Sequence, residues 1–241
     1  MPKTTTSSFL LDLPLVAKPR DDRVMAGRLE AGRRLFNSVL SDGLKRLDAM
    51  RSSEYWQAAH ALPKGVVRTA AFKACNKKFQ VSEYDFQSLA TKHKNAAKFN
   101  DRLGAHETQK LGTRVWKAVS EYAFGERGRP RFKSRSRPLH SLEGKNASAG
   151  IRWKPETGVV EWGKLMLPVK LASKVRDPYL HEALTATTKF CRIVWRMQQG
   201  KRRWFVQIVQ KGKAPAKFDF LAKGQVVGLD IGPSTIALVA D

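Results

Sequence analysis

The sequence has 241 residues, 42% of them hydrophobic and 9% aromatic, with 45 Lys and Arg against 21 Asp and Glu. That apolar content excludes a disordered basic tail and supports one large domain or two small ones with real cores. A formal net charge of +24 repels itself on a compact surface, which implies a polyanionic partner.

Nucleic acid fits that requirement through phosphate neutralisation and counterion release. An anionic membrane surface is the rival, but no long basic amphipathic helix with a pure Lys/Arg polar face supports it. Cys75 and Cys191 lie far apart without a CxxC partner, which predicts reduced, buried thiols rather than a disulfide framework or zinc site. Phe9-Leu10-Leu11 is interrupted at once by Asp12 and Pro14, too short for a signal peptide or a membrane span. The cytoplasm of a microbe is the expected address.

In chain order, Phe9 to Leu15 is read as an N-terminal strand. Met25, Leu29, Gly32, Phe36, Val39, Leu40, Leu47 and Met50 then recur at helical spacing, leaving Arg28, Arg33, Arg34 and Arg46 for other faces. A further helix is predicted to start at Ser82, whose hydroxyl caps while Glu83 and Asp85 favour the positive end of the dipole. After Gly104 the helical period resumes with Thr108, Leu111, Val115, Val119 and Tyr122. These stripes read as helix core. His93 has no second ligand at metal spacing and reads as surface or filler.

Beyond Tyr122 the period changes. Gly125 to Arg137 is punctuated by Gly and Pro, and marks a boundary. Ile151/Trp153, Val160/Trp162, the Leu165–Leu171 alternation, Cys191 to Met197 and Trp204 to Ile208 predict antiparallel strands with turns at Pro155–Gly158 and Gln199-Gly200. Val226 to Val239 reads as a separate apolar hairpin.

Two segments carry chemistry. In the first, Arg127, Arg129, Arg131, Lys133, Arg135 and Arg137 occupy every second position with no acid among them. In an extended chain, alternate side chains share a face, one every ~6.6 Å, so the six cations match a phosphate strand. Phe132 then offers a ring for base stacking or an anchor into the core, and Pro130 favours the extended state. A solvated basic linker is the plainer reading.

The second is Val226-Val-Gly-Leu-Asp-Ile-Gly232. An unpaired carboxylate at Asp230 inside an apolar strand would cost several kcal/mol to bury, so it calls for a cation, from a side chain or a metal. Gly228 and Gly232 admit a close backbone or ligand. A strand of this pattern places the first metal-binding acid of RNase H-like folds. It also opens the actin-like ATPases, although only nine residues follow Gly232 here. A structural Asp at a strand end is the remaining alternative.

The order of an Arg-rich helix with Phe36-Asn37, then Gly128-Arg-Pro-Arg-Phe-Lys-Ser-Arg135, an antiparallel stretch and Val227-Gly-Leu-Asp-Ile-Gly232 resembles the TnpB-type RNA-guided nucleases of transposons and the compact type V CRISPR effectors related to them. The resemblance implies an α+β fold. Residues 1–20 and 125–222 would form a wedge-like antiparallel β-barrel with the basic segment, 21–124 an inserted helical recognition bundle, and 223–241 the first β-hairpin of an incomplete RuvC domain. It implies guide RNA and target DNA as partners. Asp230 matches the first of three separated RuvC acids, whereas the other two and the cysteine pairs of many relatives have no match in these 241 residues. Mg2+ is therefore expected only in a complete RuvC domain and is not held stably here, because one carboxylate does not fix a metal pair. A derivative that binds without cutting is the alternative.

Overall fold

A computed structural model describes residues 7–216, together with the backbone of residues 228–230 and 238–240. The chain runs β1 (Ser8–Pro14), α1 (Pro19–Arg51), α2 (Glu54–Ala61), α3 (Val66–Phe79), α4 (Glu83–Ala96) and α5 (Ala105–Ala123). There follow β2 (Ser141–Glu143), β3 (Ile151–Lys154), β4 (Val159–Trp162), β5 (Leu165–Pro168), α6 (Pro178–Leu184), β6 (Thr188–Gln198) and β7 (Lys201–Lys211). A short hairpin, β8 (Gly228–Asp230) and β9 (Leu238–Ala240), comes last. Among the described residues no helix is long and apolar enough to cross a membrane.

The start of α1 is written locally. Pro19 opens the first turn with its φ already set, and the Asp21 carboxylate accepts a hydrogen bond from the Lys18 N–H at 3.0 Å. Every apolar position of the predicted stripe is buried, but so are Ala31, Leu35, Gly43 and Leu44, because α1 is covered on more than one side. Gly32 packs on Leu139 and Leu142, and Gly43 lies against the Phe86 ring of α4. The predicted cap at Ser82 is present: its Oγ accepts from the Asp85 N–H, and the Asp85 carboxylate accepts from the Ser82 N–H.

The strands form a four-stranded antiparallel sheet, β1-β7-β6-β2, and a three-stranded sheet, β3-β4-β5. Helices α1 to α5 thus lie in the chain between β1 and β2 of one sheet. Period-two burial sends Leu11, Leu13, Leu142, Cys191, Ile193, Val206 and Ile208 inward. Both cysteines are free and buried, and burial pushes the Cys191 thiol up to about 12, so it is an inert core residue.

The expected barrel does not close. Among the described residues the two sheets share backbone pairing at the bridge from Leu15 to Val169, flanked by Val16 N–H to Pro168 O and Lys170 N–H to Pro14 O, both 2.8 Å, and β3 also packs on β6. Two local features account for this. The chain leaves β1 for helix at Pro19, and β2 ends after three residues, where Lys145 N–H turns back to Ala149 O. The three-stranded sheet is tied to the helices instead. Arg28 donates to Trp162 O at 2.7 Å and lies 4.6 Å over its ring, while the indole N–H donates to buried Glu107 at 3.0 Å.

Helices α4 and α5 touch through Gly112. A methyl group there would sit 2.7 Å from Phe86 O and 2.8 Å from the Gln87 Cα, both backbone atoms. Ala gains about 1 kcal/mol of helix propensity over Gly, but overpacking typically costs about 1–3 kcal/mol. Gly112→Ala should therefore lower the urea midpoint at constant m-value, and a raised midpoint would show that the two helices separate freely.

Candidate nucleic-acid interface

The basic segment is held by α1. At the end of α5, Gly125 takes a positive φ of 76°, and the N–H groups of Glu126 and Arg127 both bond Glu121 O. The chain then crosses α1 without joining either sheet. Its anchor is the backbone of Lys133, whose N–H donates to Asn37 Oδ1 while its carbonyl accepts from Asn37 Nδ2, both at 2.8 Å. Arg33, one turn earlier on α1, donates to the same carbonyl at 2.9 Å. A side-chain amide thus replaces the strand neighbour that this extended segment lacks.

Arg33 is itself oriented by Glu30, which accepts from its Nε and Nη2 at 2.7 Å each and from Arg34 Nε at 2.9 Å. These bonds, that of Arg33 first, hold the Glu30 carboxyl down to about 2. A depressed carboxylate contributes its stability above the ordinary range near 4.5 and loses it as pH falls towards 2.

The six cations do not share one face. Arg127 turns to Glu121 at 3.1 Å, and Arg129 to Asp48 at 3.3 Å with the Tyr122 ring 5.9 Å away. Lys133 Nζ lies 5.7 Å over Phe36. Arg131, Arg135 and Arg137 are exposed and make no ion pair among the described residues. The chain bends at 135–137, where Ser134 Oγ accepts from the Arg137 N–H. Phe132 is 50% exposed, so its ring is not anchored in the core, and Arg131 beside it in the chain is exposed as well. A cavity of about 270 Å³ between Leu29, Arg33, Leu139, Trp195 and Arg202 adds an aromatic wall close to the end of the segment.

Asp230 ends β8 and pairs with Leu238 of β9, as the predicted hairpin requires. Its side chain and residues 231–237 lie outside the described residues. Among those described, no three His, Cys, Asp or Glu side chains are placed to hold a metal ion. One carboxylate by itself does not fix a pair of ions. His93 pairs with Asp42 at 2.8 Å.

The clamp of Glu30, Arg33 and Asn37 was not foreseen as a clamp, although the three polar residues recur at helical spacing on one side of α1. A scan against protein-family models finds no match, and a search of curated proteins finds none either.

Removing the Asn37 amide leaves a backbone N–H without its partner, at a cost of about 1–3 kcal/mol. Asn37→Ala should therefore speed hydrogen exchange at the Lys133 amide and trypsin cleavage within 127–137, with the core amides of α1 unchanged. In the unmutated chain, protection at Lys133 should persist at pH 4 and decline towards pH 2 as Glu30 protonates. Unchanged exchange in Asn37→Ala would show that the segment is held by other contacts.

Proposed function

We propose that this chain is the nucleic-acid-binding portion of a transposon-associated, TnpB-type RNA-guided DNA endonuclease. The observation that carries the reading is the pinned segment at Lys133. At Lys133 its backbone is hydrogen-bonded to Asn37 and Arg33 of α1, which leaves Arg131, Arg135, Arg137 and the Phe132 ring facing solvent. A linker that merely keeps its charges solvated gains nothing from such a clamp. A phosphate-binding segment gains pre-organisation, because ordering is completed before the ligand arrives.

On this reading the two antiparallel sheets form the wedge-like unit, and α1 to α5 form the recognition insert between β1 and β2. The β8–β9 hairpin opens a RuvC-type domain. The cations position guide RNA and its heteroduplex with target DNA through phosphates, which fixes register without reading sequence. Phe132 supplies a stacking face for a base. Asp230 supplies the first of the acids that hold Mg2+ in a complete RuvC site. One carboxylate does not clamp both the attacking and leaving oxygens, so these residues bind without cutting.

Four cations, Arg131, Lys133, Arg135 and Arg137, predict a log–log salt slope of about −3 for single-stranded RNA, at about −0.7 per contact. Phe132→Ala should weaken that binding by about 1–3 kcal/mol with an unchanged melting temperature. A slope near zero would remove the electrostatic basis of the proposal. Asp230→Ala should leave RNA binding within a few-fold. It should abolish Mg2+-dependent, guide-matched DNA cleavage once a RuvC portion bearing the other acids is supplied by fusion or in trans. Full cleavage by that fusion with Asp230→Ala would make the residue structural.

A further inference from the structure

Outside the Lys133 clamp, the strongest concentration of charge lies where α5 crosses β2 and β6. Glu143 is approached by Lys110 Nζ at 3.5 Å, Arg114 Nη2 at 3.9 Å and Arg192 Nη2 at 2.8 Å, three cations on one carboxylate. The group is built, not incidental. Arg114 Nη1 donates to Ser141 O at 3.1 Å, and Lys110 and Arg192 both lie over the Phe190 ring, at 5.6 and 5.9 Å. All three cations keep about a third of their side-chain surface in solvent. Three cations on one carboxylate leave the local charge incompletely balanced; burial pushes the Arg114 guanidinium down, with Glu143 opposing and Arg192 adding to the effect.

The cluster continues along α5. Lys110, Arg114, Lys117 and Glu121 stand at i, i+4, i+7 and i+11, one side of the helix. Glu121 is shared between Lys117 at 3.8 Å and Arg127 at 3.1 Å, which joins this stripe to the start of the basic segment. A charged stripe therefore runs from β6, along one side of α5, to Arg127.

We propose that Lys110, Arg114, Lys117 and Arg192 form a second phosphodiester-backbone site, extending the 127–137 segment, in which Glu143 and Glu121 orient the cations until phosphates replace these carboxylates. The proposal rests on the nucleic-acid reading above, and it adds residues that the spacing of the basic segment did not include. A purely structural ion-pair network would neutralise its cations; this one leaves them in excess of the carboxylates and partly exposed.

The test uses the full chain with a labelled single-stranded RNA and a labelled RNA duplex, titrated at several salt concentrations. Lys117 is 72% exposed and Lys110 29%, so Lys110→Gln/Lys117→Gln removes two cations, with the melting transition as the check on folding. The expected result is a salt slope shallower by about 1.4 on single strands, or about 1.8 on duplex, and roughly ten-fold weaker binding at physiological salt. Glu143→Gln, checked for folding by its melting transition, should bind several-fold more tightly. If the unmutated chain binds neither probe, the nucleic-acid reading itself fails. If it binds and Arg131→Ala/Arg135→Ala weakens it, while the Lys110/Lys117 variant keeps the full slope, the second site is overturned and the first stands. A folded Glu143→Gln with unchanged affinity would likewise overturn the placement of phosphate at the β2–β6 end.

Discussion

Forty-five basic side chains share this molecule with twenty-one acids, and several carboxylates near the basic surface serve more than one cation. Glu30 holds Arg33 and Arg34, Glu121 holds Lys117 and Arg127, and Glu143 meets Lys110, Arg114 and Arg192. This sharing orients guanidinium groups without neutralising them. It lets a strongly cationic surface stay ordered, since each carboxylate lowers local repulsion where helices and strands meet. The buried core alone would not do this, because it says nothing about where long charged side chains end up.

The same scarcity divides the basic segment into two parts. Arg127 and Arg129 lie within reach of Glu121 and Asp48 and are drawn back onto α5 and α1. Residues 131 to 137 lie beyond those acids, and there the chain is fixed by hydrogen bonds to its backbone instead. Asn37 suits that task because an amide offers a donor and an acceptor side by side, matching a peptide's carbonyl and N–H. A charged residue in its place would satisfy only one of them.

Much of the fold was legible because it is locally encoded. The α1 stripe, the Ser82 cap and the alternation of β3, β4, β6 and β7 each follow from a few neighbouring residues. Helix α6, seven residues capped by Asp177, and the three-residue β2 were too short for periodicity to declare. That the barrel stays open was not legible either, since the bridge between the two sheets joins residues more than 150 apart in sequence. In the candidate site the sequence displayed the cations but not their partners. Asp48 is 81 residues from Arg129, and Asn37 is 96 from Lys133, so no local pattern joins them. The α5 stripe was different: its i, i+4, i+7 spacing was present, but its meaning depended on Glu143 and Arg192 arriving from the sheet.

The exposed ion pairs also bear on how a polyanion would enter. Arg127 and Arg129 are more than half exposed, and surface pairs of that kind contribute little to stability. Giving up Glu121 and Asp48 for phosphates therefore costs little, while each phosphate contact releases condensed counterions. The Arg33–Glu30 pair is different in geometry: it is bidentate, and Arg33 keeps only 17% of its side chain in solvent while holding the Lys133 carbonyl. Exchange is thus cheap at the start of the segment and resisted at its centre. A strand of phosphates would displace the outer acids first and leave the anchor intact, so the backbone that presents Arg131, Phe132 and Arg135 keeps its course as the charges on either side change partners.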